Sequence, residues 1–264
     1  MVQGREANVL GRSGTAETLL VRDGALTFVE KRLLTRAQSS EEATAAFERE
    51  GIILEALGGR GAPRFLERGH DEHGAYLRME TLVGSPLEAL PAQSAVRFGL
   101  VAKSAFLALA RVHEADDEHG PLEVLHNDLS PSNVLVSVDD VDVGAWLVDF
   151  GLASYRDGGP PRDGAFRGTL ATAAPEIARE EAASVRSDLF AMAASLVTVL
   201  LGTPLRRDVA SDALALVLAG DVPIHLPPLP VAPATEAALR GCLNHDASDR
   251  PESARHVLDL LGVP

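Results

Sequence analysis

The stretch "VLHNDLSPSNVLV", residues 124–136, sets His126, Asn127, Asp128 and Asn133 between two apolar pieces. Amide and carboxylate groups held in this way serve either a solvated hairpin or a site for metal and phosphate. Working outward, "VLV" and the following "GAWLV" read as short buried strands, and "DFG" at 149–151 comes sixteen residues after Asn133. Apolar strands on both sides would fix the polar loop between them in space, which a solvated hairpin does not need.

The rest of the chain divides around this stretch. Residues 8–34 read as paired strands: "NVLG" and "ETLLVRD" flank the glycine-containing "GRSGTA", and "GALTFVEKRLL" follows a turn at Asp23 and Gly24. "SSEEATAAFEREGIILEALGG" reads as a helix opened by Ser40, with acidic residues in its first turn and Gly58 and Gly59 at its end. "PRFLERGHDEHGAYLRMETL" predicts two more strands around a turn at 70–74. After "VGSP" at 83–86 the pattern changes, and "SAVRFGLVAKSAFLALARVHEA" has the apolar spacing of a long core helix. Beyond the Gly/Pro-rich "YRDGGPPRDGAFRG", the chain from 175 reads as helical apart from "PIHLPPLP". The expectation is an α+β chain with a small β-rich lobe, residues 1–82, and a larger helical lobe, residues 83–264.

Composition bounds the partners. The chain has 264 residues, 46% hydrophobic and 23% charged, with a net charge of -14. A chain this acidic is repelled by nucleic acid and by anionic membranes, so neither is expected as a partner. Cys242 is the single cysteine and cannot form an internal disulfide. That fits a reducing, cytoplasmic compartment, and "MVQGREANVL" lacks the basic start and apolar run of a signal peptide. The most apolar stretch, "AMAASLVTVLLG" at 191–202, is too short to span a bilayer and reads as a buried helix.

Of 24 lysines and arginines, only Lys31 and Lys103 are lysine. Lys31 stands in the strand-like "GALTFVEKRLL", which marks it as a candidate functional ammonium. Phosphoryl transfer needs one carboxylate to accept the proton of an acceptor hydroxyl and another to hold the metal that bridges the phosphates. Asp128 suits the first role and Asp149 the second. Asn133 offers a neutral oxygen for a further metal contact without adding a third negative charge.

In this order the segments resemble the protein kinase superfamily across nearly the whole chain. "LGRSGTAE" is similar to a degraded glycine-rich loop, Lys31 to the lysine of the third strand, and Glu50 to its partner on the first helix. "YLRMETLVGSPL" resembles the fifth strand and hinge, with Met79 as gatekeeper and the backbone from Glu80 to Leu82 as the adenine contact. "GTLATAAPE" resembles the end of an activation segment, and "DASDRPESA" supplies Arg250, the implied partner of Glu176. The resemblance implies a bilobal kinase-like fold that uses ATP and Mg2+ to phosphorylate a serine or threonine hydroxyl of a protein. Asp128, Lys31 and Glu50 would be its catalytic group. Gly11, Gly14, Lys31, Glu80, Leu82, Asn133 and Asp149 would bind nucleotide, with Asn133 and Asp149 on the metal. His126 and Phe150 are read as lobe-interface residues, and Asp188 as an acceptor for the catalytic-loop backbone. "GT" at 168 and 169 favours serine and threonine over tyrosine. The implied kinase helices reach almost to residue 264, so no sensor, anchor or docking domain is expected, and the arginine-biased composition points to a GC-rich bacterial source.

The departures are as informative. Ser13 and Ala16 stand where the glycine loop usually has its second and third glycines, which restricts backbone approach to phosphates. Thr18 and Val29 predict a tighter or more polar nucleotide pocket. Asn127 replaces the arginine that receives an activation-segment phosphate, so activity without such phosphorylation is predicted. Ser130 replaces a lysine beside the transferring phosphate, as in choline and aminoglycoside phosphotransferases. Two other readings therefore stand beside the first: a pseudokinase that binds nucleotide or acts as a scaffold, and a small-molecule kinase. "GHDEHG" at 69–74 is read as a polar hairpin turn, "DDVD" at 139–142 as a solvated turn, and Cys242 as a core residue.

Overall fold

The computed structural model describes residues 6–139, 142–160, 166–206 and 220–262. The expected turn at 139–142, the Gly/Pro-rich loop at 155–168 and the helical run beyond 201 therefore fall partly outside the described residues, as do the first five residues.

Strands β1 (Glu6–Arg12), β2 (Ala16–Asp23), β3 (Leu26–Leu33), β4 (Phe65–Asp71) and β5 (Gly74–Glu80) form an antiparallel sheet in the order β1-β2-β3-β5-β4. Its register places Lys31 between Thr18 on β2 and Leu77 on β5, and Val29 opposite Met79. Period-two alternation sends Lys31 and Val29 to one face and Phe28, Glu30 and Arg32 to the other. On that second face Glu30 is 1% exposed, held by Arg32 at 2.7 Å and Arg78 at 2.9 Å. Arg78 lies over the rings of Phe28 and Tyr76, at 4.9 and 4.4 Å from their centroids. "GHDEHG" forms the tight β4–β5 hairpin, and among the described residues no three His, Cys, Asp or Glu side chains gather as a metal group.

Helix α1 (Glu41–Leu57) packs beside this sheet. The Ser40 hydroxyl accepts from the Ala43 N–H, Glu41 and Glu42 complement the N-terminal dipole, and Gly58 closes the helix with φ 56°. The loop that follows is pressed onto the helical half. Gly61 has φ +75°, and a Cβ there would stand 2.5 Å from the carbonyl oxygen of Ala108, so this approach requires glycine. The carbonyl of Gly61 also accepts from the Leu147 N–H at 2.8 Å.

The second half is built on helix α2 (Ala95–His113), which buries Phe98, Val101, Ala102, Ala105, Phe106, Leu109 and Val112 along one stripe. Against it pack α4 (Val185–Leu201), buried on every side from Ser187 to Val197, and two later helices, α5 (Pro233–Cys242) and α6 (Ala254–Leu260). The short α3 (Pro175–Ala178) precedes α4. Strands β9 (Val134–Val138) and β10 (Val143–Leu147) lie across α2, with β6 (Ser85–Pro86) on their edge, while Asp116–Asp117 (β7) and Gly120–Pro121 (β8) form a small hairpin. One continuous cluster of buried side chains runs from Phe47 and Leu77 through Phe106 and Phe150 to Phe190 and Val257. Cys242 is part of it. Among the described residues no helix is long and apolar enough to cross a membrane. The sequence reading misses β6 to β8 because two-residue strands carry no periodicity.

Candidate active site

The loop between β8 and β9 carries Asp128 and Asn133. It is held from below by Asp188 near the start of α4, whose carboxylate accepts from the His126 N–H at 2.8 Å and the Asn127 N–H at 3.0 Å. His113, at the end of α2, reaches the same carboxylate at 3.0 Å. Burial raises the Asp188 carboxyl, but the His113 bond and these donors outweigh it and hold it below the ordinary range. His126 is fully buried, its ring centroid 4.8 Å from that of Phe150. Asn127 takes φ 64°, a region that asparagine tolerates better than most residues.

Asp128 is thereby fixed at the surface of the cleft. Its Oδ1 accepts from the Thr169 hydroxyl at 2.9 Å, and the Asn133 amide donates to its main-chain oxygen at 2.8 Å. Burial lifts the Asp128 carboxyl above the usual aspartate range, against the pull of Thr169. Gly168 has φ +106°, and a Cβ there would meet Asp128 Oδ1 and the Asn127 carbonyl oxygen, each at 3.3 Å. Ser130 is 3% exposed, with its hydroxyl 2.8 Å from that of Ser132.

Across the cleft, Lys31 Nζ lies 2.7 Å from Glu50 Oε2 and 2.7 Å from Asp149 Oδ1. Burial by itself would lower the lysine pKa, but the two carboxylates outweigh it and hold Lys31 as an ammonium. The same ammonium holds Asp149 below the ordinary carboxylate range despite burial. Glu50 Oε1 also accepts from the Phe150 N–H at 3.3 Å, so Glu50 meets the Asp149 segment directly as well as through Lys31. Asp149 takes φ 63° with its side chain half exposed, facing the cleft.

The remaining expected nucleotide contacts line up less directly. Gly11 lies at the end of β1 and Gly14 in the β1–β2 turn, both in open space. Ser13 bridges that turn, its hydroxyl accepting from the Thr15 N–H at 3.3 Å and the Ala16 N–H at 3.0 Å. Two amides of this turn are thus occupied by a side chain. At the hinge, Met79 is buried, and the Glu80 carboxylate accepts from the Arg64 N–H at 2.9 Å. Leu82 follows in irregular chain, and its main chain has no hydrogen-bond partner among the described residues. Below the cleft, Arg250 grips Glu176 through two bonds, of 2.7 and 2.8 Å, and Ser187 adds a third at 2.8 Å.

Three contacts escape the sequence reading. His113 looks like any polar residue near an element end, and Ser13, read only as a replaced glycine, gives no sign that its hydroxyl holds two amides of the turn. Arg49, next to Glu50 on α1, bonds main-chain carbonyls of the segment after Asp149, a pairing with no sequence signature.

Residues 7–259 match the protein kinase domain family. The chain is 32% identical to the DNA damage-responsive serine/threonine-protein kinase RqkA of Deinococcus radiodurans over 74% of its own length and 29% of that protein's. It is 29% identical to serine/threonine-protein kinase pkn3 of Myxococcus xanthus, over 93% of this chain and 47% of that one. With serine/threonine-protein kinase PknH of Mycobacterium bovis it shares 28% identity over 92% of this chain and 40% of the relative. The chain therefore spans less than half the length of these relatives. On the match across residues 7–259, this chain belongs to the protein kinase domain family.

Proposed function

We propose that this chain transfers the γ-phosphate of ATP, with Mg2+, to a serine or threonine hydroxyl of a protein substrate. The observation that carries the reading is the convergence of Lys31, Glu50 and Asp149 within 2.7 Å contacts, with Asp149 near enough to act on the charge of Asp128, which Thr169 holds by a hydrogen bond.

The donor set suits the groups this reaction requires. Asn133 and Asp149 offer hard oxygen ligands, of the kind magnesium takes together with phosphate oxygens and water, and they would hold the metal. When bound, the metal supplies charge neutralisation at the β- and γ-phosphates. Lys31, kept charged and aimed by Glu50, contacts the α- and β-phosphates. Asp128 accepts a hydrogen bond from the acceptor hydroxyl and takes its proton as the new O–P bond forms and the bond to the β-phosphate oxygen breaks, releasing ADP. Thr169 and Asn133 keep Asp128 in that orientation. The main chain from Glu80 to Leu82 holds the adenine, and Gly11 and Gly14 leave room above the phosphates.

A protein acceptor is supported by the Glu176–Arg250 pair, which anchors the end of the segment where a polypeptide would lie. A lobe division at 82/83 is supported by the five-stranded sheet ending at Glu80 while Ser85 already pairs with Val136. A cytoplasmic location is supported by Cys242 being the single cysteine of the sequence, so that the chain holds no internal disulfide. Purified protein with radiolabelled ATP, Mg2+ and a generic protein acceptor tests the function. Label transfer that is lost in Asp128→Ala and Asp149→Ala is expected. Nucleotide binding without transfer, or transfer only to a small metabolite, would overturn it.

A further inference from the structure

Arg49 precedes Glu50 on α1, so its side chain leaves the helix about 100° away from that of Glu50. It points to the segment that follows Asp149 and is only 8% exposed. Its Nε donates to the Ala153 carbonyl at 2.7 Å, Nη1 to Gly159 and Nη2 to Gly151, each at 3.4 Å. A guanidinium is a rigid planar fork, so one side chain can bind both ends of the 151–159 stretch at once. Among the described residues its hydrogen-bond acceptors are all neutral main-chain oxygens.

A second contact lies on the same face of α1. Glu42, seven residues earlier and so almost in line with Arg49, pairs with Arg167 at 3.2 Å, just before Gly168 and Thr169. From the other side, the Asn127 amide donates to the Leu152 carbonyl and the Ser154 hydroxyl, each at 3.1 Å. Leu125 and Ser154 exchange two main-chain bonds of 2.9 Å. The segment is therefore fastened to α1 and to the catalytic loop by groups already in the chain.

We propose that Arg49 is a positioning residue that holds residues 151–159 against α1 and so keeps Glu50 on Lys31 without a phosphate on the segment. This rests on the kinase reading above. Coupling of this kind is reciprocal: the bonds that order the segment also restrain the helix that carries Glu50.

The test compares the phosphatase-treated chain with Arg49→Ala and Arg49→Lys, by turnover, nucleotide affinity and amide hydrogen exchange. The treated wild-type chain is expected to keep its turnover. Arg49→Ala should lose about tenfold or more in kcat with an unchanged nucleotide Kd, because positioning rather than binding is removed. Exchange over 150–159 should accelerate about tenfold, while 185–201 in the buried helix α4 stays as it was. Arg49→Lys keeps the charge but donates from one atom, so it should fall between the two, and it carries the comparison if Arg49→Ala does not fold. Loss of wild-type activity on phosphatase treatment, or an Arg49→Ala chain with wild-type turnover and exchange, would overturn the proposal. If the wild-type chain transfers no phosphate at all, the kinase reading fails, while the exchange difference still decides whether Arg49 holds the segment.

Discussion

Thr169 donates its hydroxyl to the Asp128 carboxylate at 2.9 Å, tying the chain just before α3 to the loop between β8 and β9. Thr169→Val keeps the shape and removes the donor, and kcat is expected to fall about 10- to 100-fold, as for a displaced catalytic group. Thr169→Ser, which restores a hydroxyl, should recover most of it. Initial rates with ATP and a protein acceptor check both, and equal rates for valine and threonine would refute a role for the bond. The adjacent Gly168→Ala forces a side chain into φ +106° and toward Asp128. It is expected to cost about 1–3 kcal/mol in urea unfolding and to lower kcat as well.

Ser13 occupies the Thr15 and Ala16 amides with its own hydroxyl. Ser13→Gly frees those donors for a phosphate, and a net hydrogen bond of about 1 kcal/mol corresponds to roughly a fivefold tighter grip on ATP. The KM for ATP should fall by that order. A rise would mean that Ser13 shapes the loop for nucleotide instead of competing with it.

Glu176 is buried against Arg250, and their bonds hold its carboxyl below the ordinary glutamate pKa even though burial alone would raise it. A depressed carboxylate contributes stability that is complete above the unfolded value, 4.5, and is lost as pH falls through the lower folded value. Glu176→Gln strands the Arg250 charge and should cost about 3–5 kcal/mol at neutral pH. The gap between variant and wild type should stay constant down to the unfolded value and narrow below it. Urea unfolding across the acid range measures this, and a gap that widens toward acid would contradict the pairing.

Glu30 precedes Lys31 and lies on the opposite face of the sheet, clamped by Arg32 and Arg78. Glu30→Gln leaves each arginine with one carboxylate partner among the described residues, Asp71 for Arg32 and Glu67 for Arg78. The loss should be about 1–3 kcal/mol, below that of a sealed pair because both arginines reach solvent. Turnover at a temperature where the variant is folded should match wild type, and thermal unfolding read beside activity separates the two effects.

How much of this was legible in the sequence depends on what each residue touches. Asp128, Asn133, Thr169 and Asp149 lie in short stretches whose spacing already states a chemistry. Lys31 and Glu50, 19 residues apart, could be paired only through the resemblance to the protein kinase superfamily, since a strand and a capped helix do not by themselves single out Glu50 among the acidic residues of α1. Glu176 and Arg250, 74 residues apart, were likewise readable as an acid and a base in recognisable segments. The contacts of Arg49 on three carbonyls, Ser13 on two amides and His113 on the Asp188 carboxylate were not readable, because these residue types could do many other things and only the tertiary path brings their partners near. Gly61 shows the same limit, since its need for glycine comes from Ala108 on another helix.

Among the described residues, every hydrogen bond from Arg49 ends on an oxygen of the main chain. Such acceptors persist whatever side chain is attached, so point changes along 151–159 cannot delete them. The heritable variation to which this joint is exposed is in length: adding or removing a residue between Gly151 and Gly159 would carry the acceptors out of reach of a fork whose donors are fixed in a plane.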